Sequence, residues 1–284
     1  PAPRLFIMII WIASYPKSGN TYLRSFIASY FFSKKGKFDF SLLMNILQFP
    51  SVKFTKKNIY SEIEASQSWI YNQEQFFSGE KVHFVKTHNT LNSFKGNEFV
   101  NNNQTLGAIY IVRDPRNVIT SMKNHYSMSY DYAYSKLIDE NASLLEKSRD
   151  NDHSNFTFLG SWKNHYKSWK MSKNFKTLFI RYEDLENNKF KSFNKIVTFI
   201  NNLKKDQTKI NEKKLINSIN STNFTNLRNK EEMEGFEESR YIKNSEKKIR
   251  FFNLGFNNRW EKILPEYILE KLNKSFNNDL NDLG

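Results

Sequence analysis

The sequence predicts an α/β protein, a central parallel β-sheet flanked by helices in a single domain. Three observations predict it. Short apolar, β-rich runs recur at IMIIWIAS (7–14), KVHFVK (81–86), GAIYIVR (107–113) and KTLFIRY (176–182). Long stretches of helical pattern separate them, and strands apolar along their whole length belong to sheets covered on both faces. Finally, 284 residues with 39% hydrophobic and 16% aromatic content can bury one full core, and the length gives no reason for a second domain.

The first strand follows PAPRLF, which reads as an added leader ahead of Met8 as the natural start. The strand ends in YPKSGNT (15–21), and a helix begins at once, with Leu23, Phe26, Ile27, Tyr30 and Phe31 on one face. At the end of the third run, Arg113 leads straight into another helix, capped by Asp114 with Pro115 as its first residue. Further helices are expected over 159–173 and 263–277. Residues 229–250 hold six basic and six acidic residues with few apolar anchors, and read as a mobile surface segment or lid. The sequence shows no internal repeat.

Composition narrows the function. The absence of Cys removes disulfides, thiol nucleophiles and Cys-based zinc sites, and suits a reducing, cytoplasmic setting. The longest apolar run, LFIMIIWIA (5–13), falls short of the roughly 18 residues of a membrane span. Forty-three Lys and Arg against 29 Asp and Glu give a net charge of +14, which concentrates anionic ligands near the surface, although part of the excess is ordinary solvated lysine. No nucleic-acid-binding module is recognisable, so charge alone would be the only argument for such a partner.

YPKSGNT carries the sharpest chemical signal. A strand–loop–helix start aims several backbone N–H groups at one point, the helix dipole adds partial positive charge, and Lys17 adds a full one. The order is not that of a nucleotide-triphosphatase loop, G-x-x-x-x-G-K-[ST], because here the Lys precedes the Gly. Taken alone, PKSG is more often an ordinary βα turn. There is no H-E-x-x-H, no Cys pair and no G-x-S-x-G, so neither a metal nor a serine hydrolase is expected.

Further motifs follow in order: Lys86-Thr87-His88, IYIVRDPRNVITS with Arg113 and Ser121, Tyr182-Glu183-Asp184, and Thr222-Asn223-Phe224. With Tyr15-Pro16-Lys17-Ser18-Gly19-Asn20-Thr21-Tyr22, this series resembles the cytosolic-type sulfotransferases that use 3'-phosphoadenosine 5'-phosphosulfate (PAPS), over most of the chain. The resemblance implies a P-loop-type fold, PAPS as donor, adenosine 3',5'-bisphosphate (PAP) as product, and no metal. It places Lys17, Ser18, Gly19, Asn20, Thr21 and Tyr22 on the 5'-phosphosulfate and Arg113 with Ser121 on the 3'-phosphate. Tyr22, Tyr182, Thr222 and Phe224 fall around the adenosine. Lys17 would stabilise the leaving oxygen, His88 would take the acceptor's proton, and Lys86 would touch the transferring group. The partner is an acceptor hydroxyl or amine on a small molecule or glycan; oligomerisation is left open.

One departure stands out. Where the family carries F-x-R-K-G-x-x-G-D-W, this chain reads FFNLGFNNRWEKIL (251–264), keeping Phe251, Gly255 and Trp260 but placing Asn253 and Leu254 at the Arg and Lys positions. Arg250 is the favoured substitute, with Lys247, Lys248 and Arg259 as alternatives. A catalytically impaired nucleotide- or polyanion-binding protein of the same fold is therefore the second reading. The acceptor pocket is expected among 34–80, 89–105, 127–157 and the lid, with Phe40, Phe49, Trp69, Phe94, Tyr126, Tyr130 and Tyr132 as candidate lining.

Overall fold

The structure, a computed structural model, describes residues 8–77, 81–146, 151–241 and 248–283. The expected leader 1–7 lies outside them. In chain order the strands are β1 (Met8–Ala13), β2 (Ile46–Gln48), β3 (Val82–Thr87), β4 (Thr105–Val112), β5 (Ser143–Leu145), β6 (Phe156–Phe158), β7 (Lys176–Arg181), β8 (Arg240–Tyr241) and β9 (Lys248–Ile249). Five of them form one parallel sheet in the order β2-β3-β1-β4-β7, so all four expected runs are central or flanking strands of a parallel sheet. The short edge strand β2 and the antiparallel pairs β5–β6 and β8–β9 carry too few residues for a sequence period to show.

The helices are α1 (Asn20–Phe32), α2 (Glu62–Phe76), α3 (Pro115–Tyr126), α4 (Tyr130–Ile138), α5 (Trp162–Lys170), α6 (Tyr182–Asn187), α7 (Lys189–Leu203), α8 (Glu212–Ser221), α9 (Phe224–Glu234), α10 (Trp260–Ile263) and α11 (Glu266–Leu283). Asp114 caps α3 as expected, its side chain accepting from Arg116 N at 2.8 Å, with Pro115 in the first turn. The helix expected over 159–173 is shorter, because Ser161 caps it by accepting from Asn164 N. The one expected over 263–277 is split by Pro265, which cannot continue α10 and opens α11 instead.

Alternation along β1 divides the core. Ile9, Trp11 and Ala13 face a cluster completed by α2, α3, α4, α5 and α11, while Ile10 and Ile12 face one completed by α1, α7, α8 and α9. At about 25 cal/mol per Å² of apolar area removed from water, this double burial is the main term stabilising the sheet. Helix α1 departs from the one-faced pattern of its sequence. Asn20 to Tyr30 are all buried, Arg24, Ser25 and Ser29 included, because α1 lies between the sheet, the segment 36–45 and α8, with Glu238 covering its first turn.

Candidate functional site

In this strand order β3 and β4 lie on opposite sides of β1, and the crevice outside the carboxyl ends of such strands is where open α/β sheets bind ligands. The motif residues gather at those ends. YPKSGNT follows β1, Lys86 and Thr87 close β3, Arg113 follows β4, and Tyr182 follows β7. Residues at these ends, Lys17, Lys86, Arg113 and Tyr182 among them, wall a cavity of about 350 Å³, to which α3 contributes Ser121 and the segment after α9 contributes Glu238 and Arg250.

The loop at 15–19 is shaped by two left-handed residues, Lys17 (φ 64°) and Gly19 (φ 97°). Gly19 is required twice over: a side chain there would strain the backbone, and its Cβ would stand 2.4 Å from Tyr182 Cδ2. Helix α1 then starts with no side chain capping it, which leaves its first N–H groups for the cavity. Asn20 instead anchors the loop backward, donating from Nδ2 to Ile12 O and Ser14 Oγ, each at 3.2 Å.

Lys17 points its Nζ over the Phe251 ring, 4.2 Å from the centroid. Burial pulls its pKa down to about 7; Glu238 opposes this, while Arg113, Arg240 and Lys86 add to it. Lys86 is also buried, donates from Nζ to Gln48 Oε1 at 3.1 Å, and has its pKa lowered by burial first.

His88 is fixed at both ends of the residue. Its Nδ1 lies 2.8 Å from Ser14 O, and a carbonyl can only accept, so Nδ1 carries the proton and Nε2 keeps its lone pair. Burial, then the charge of Lys86, holds its pKa well below the usual imidazole value, so the ring is neutral. Its own carbonyl accepts from His165 Nε2 at 2.9 Å, and His165 Nδ1 in turn takes the Tyr110 hydroxyl at 2.8 Å. His165 is thus a fully buried orienting group that no motif marks.

Arg113 crosses the cavity's far end. It donates to Lys17 O at 3.3 Å and Gly255 O at 3.4 Å, its guanidinium lies 4.2 Å over the Tyr182 ring, and its buried Nε has no partner among the described residues. Tyr182 stacks on Phe256, and Phe224 closes over Gly255, whose Cβ would meet Phe224 Cδ2 at 2.5 Å. Glu231 holds this corner together: its carboxylate accepts from Phe251 N, Phe252 N and Ser239 Oγ at 2.7, 2.9 and 2.6 Å.

Most sequence-predicted site residues converge: Lys17, Gly19, Asn20, Thr21, Tyr22, Lys86, His88, Arg113, Ser121, Tyr182, Phe224, Arg250 and Gly255 all line the cavity. Two do not. Thr222 is buried as the cap of α8, its hydroxyl donating to Ser218 O at 2.7 Å. Ser18 turns its hydroxyl into the protein, where it has no partner among the described residues. Asn253 and Leu254 also line the cavity, so the Arg–Lys positions are in place but uncharged. Arg250 reaches in beside them and pairs with Glu232 at 3.1 Å. Of the expected lid, Glu237 to Arg240 and Arg250 line the cavity, while 242–247, with Lys247, lie outside the described residues. Of the seven candidate aromatics only Phe49 and Tyr126 reach the cavity. Trp69, Phe94 and Tyr130 pack in or against one core cluster, Phe40 packs on the other, and Tyr132 faces solvent. Among the described residues no helix is long and apolar enough to cross a membrane.

Two solved structures bear on this architecture, with a third of the same protein. Mouse sulfotransferase SULT7A1 complexed with PAP is similar at 19% identity, TM-score 0.57, over 94% of this chain and 81% of that one. Retinol dehydratase with androsterone and inactive cofactor PAP is similar at 17% identity, TM-score 0.59, over 96% and 81%. The same enzyme with retinol and PAP gives a TM-score of 0.54. No curated protein sequence matches the chain. The family model described as the sulfotransferase domain matches residues 9–284, which run from the second residue of β1 onward and contain the whole cavity wall, and the chain therefore belongs to the sulfotransferase family.

Proposed function

We propose that this protein transfers a sulfuryl group from PAPS to a hydroxyl or amine of an acceptor, with PAP as the second product. The observation that carries the reading is that Lys17, Lys86 and His88 line one cavity at the end of β1 and β3, with the basic Nε2 of His88 left without a proton. PAPS supplies an activated sulfuryl group on a phosphate leaving group. The residues fit its two anionic ends. The uncapped start of α1 with Lys17 and Thr21 suits the 5'-phosphosulfate, and Arg113, with an unpartnered buried Nε, suits the 3'-phosphate beside Ser121. Tyr182, Phe224 and Phe256 supply aromatic faces for the adenine, each base–aromatic stack being worth about 1 to 3 kcal/mol.

Lys17 would place its ammonium where negative charge grows on the leaving oxygen, which favours the transition state over the ground state. His88 Nε2 would accept the acceptor's proton, held in the right tautomer by Ser14 O. Lys86 would steady the transferring oxygens. The reading is tested with labelled PAPS and a broad acceptor panel. Lys17→Ala and His88→Ala should abolish transfer with the fold intact, and Arg113→Ala should weaken PAP binding. Turnover at the wild-type rate by either of the first two would refute these roles.

A second reading, a nucleotide- or polyanion-binding protein without catalysis, is favoured by one observation: Asn253 and Leu254 put no charge at two cavity positions. PAP binding without transfer to any acceptor would select it. Androsterone and retinol belong to the retinol dehydratase complexes; a small molecule or glycan acceptor, and a cytoplasmic location in keeping with the absence of Cys, are proposed for this chain.

A further inference from the structure

Glu238 stands in the middle of the anion site. Its Oε2 accepts from the Thr21 hydroxyl at 2.9 Å, its Oε1 accepts from Arg24 Nη2, and Lys86 Nζ lies 3.6 Å from the same oxygen. Arg24 sits one turn into α1, 4% exposed, and also donates to Thr21 Oγ1 at 3.1 Å; its Nε has no partner among the described residues. Burial alone would raise the pKa of Glu238, but Arg24 and then Lys86 hold it far below the usual carboxylate range, so it is a full anion.

The arrangement is lopsided. Arg24 and Lys86, both under a tenth exposed, belong to the sheet-end framework, while the single carboxylate they share comes from the chain between α9 and β8. Two buried cations without a counter-charge are strongly unfavourable, so an anion beside them is strongly favoured. Nothing requires that anion to be Glu238. An external oxyanion meeting the Thr21 hydroxyl, Arg24 and Lys86 beside the start of α1 would satisfy the same donors, with a planar guanidinium well suited to it.

We propose that Arg24 is a further anion-binding residue of the cofactor site, and that the Glu238 carboxylate occupies its place as an internal competitor which the 5'-phosphate end of the cofactor displaces. This rests on the reading of residues 17 to 22 as the 5'-phosphosulfate loop. It makes cofactor binding an exchange of anions, and observed affinity is then lowered by the fraction of molecules in which Glu238 holds the site.

The test titrates PAP into the full chain as wild type, Glu238→Gln and the double variant Glu238→Gln/Arg24→Gln. Glu238→Gln should bind PAP about tenfold more tightly than wild type, and adding Arg24→Gln should remove that gain. Equal affinity of wild type and Glu238→Gln, or equal affinity of the single and double variants, overturns the proposal while leaving the sulfotransferase reading intact. No PAP binding by any of the three overturns both. Because Glu238→Gln leaves buried cations unpaired, thermal melting is followed in parallel with sodium sulfate against sodium chloride at matched ionic strength. A sulfate-specific rise in Tm larger in Glu238→Gln than in wild type supports the exchange, and an equal response overturns it.

Discussion

Replacing Lys17 by Met should abolish the use of the donor and yet make the protein more stable at neutral pH. Moving an amine from 10.5 down to about 7 corresponds to about 5 kcal/mol against its charged form, at about 1.36 kcal/mol per tenfold. Lys17 retains some contact with solvent, so about 2 kcal/mol is the working figure. The unfolded chain binds this proton more tightly than the folded one. Stability contributed through Lys17 therefore rises as pH climbs from about 7 toward 10.5, and the destabilisation is fully present below 7. Met keeps the apolar stem against Phe251 and removes the charge. In melting experiments at pH 7, Lys17→Met should gain about 4 to 8 °C over wild type, and the gap should shrink as pH approaches 10.5. Isothermal titration should at the same time show weakened PAP binding. A variant melting at or below the wild-type temperature at pH 7 would mean that the ammonium is not held against its own desolvation, and the account of Lys17 as a charge stored for the leaving oxygen would fail.

His88 is already neutral below its ordinary value of 6.5, so the transfer rate should pass down through pH 6.5 without an acid limb; a fall of one log unit per pH unit centred there would contradict the burial argument. His88→Gln should reduce the rate by about 10² to 10⁴. Gly19→Ala forces a Cβ at φ 97° to within 2.4 Å of Tyr182, and should cost roughly 2 to 5 kcal/mol of stability and weaken PAP binding, read by melting and titration together. Arg250→Ala should weaken PAP binding about tenfold, in line with the loss of one charge-assisted contact of about 1.5 kcal/mol. Glu232→Gln, which releases Arg250 from its 3.1 Å ion pair, should leave affinity equal or higher.

What could be read in the sequence was what is built locally. A strand running into a Gly turn and a helix start fits an anion loop or an ordinary βα turn, and it was the series of motifs in order that singled out Lys17, Gly19, Arg113 and Ser121, while Asp114-Pro115 by itself dictates a capped helix. Lys86 and His88 came with a strand end. The misplacements have the same cause in reverse. Thr222 sits two residues before Phe224, yet its hydroxyl closes α8, and only the helix boundary decides between the two roles. Short pairs such as β8–β9 carry no period, and the aromatics expected in the acceptor pocket are chemically indistinguishable from those that fill the core.

The contacts that sequence could not offer are those joining distant positions. His165 steadies the His88 carbonyl from 77 residues away, and Glu238 reaches Arg24 across 214. Arg24 did leave one local sign: an Arg one turn into a helix whose neighbours are apolar is either exposed or paired. Because α1 is buried on every side, exposure was never open to it, and a counter-ion had to come from elsewhere in the chain. The same reasoning applies to the uncharged Asn253 and Leu254. Under the proposal for Arg24, the site carries no charge at Asn253 and Leu254 toward its 3'-phosphate end and offers a buried Arg at its 5'-phosphosulfate end once the cofactor has displaced Glu238. On that account this chain should discriminate less against donors and products lacking the 3'-phosphate than a sulfotransferase carrying both charges. Competition of PAP against adenosine 5'-phosphate measures it directly, and a preference for PAP unaffected by restoring Asn253→Arg and Leu254→Lys would overturn that account.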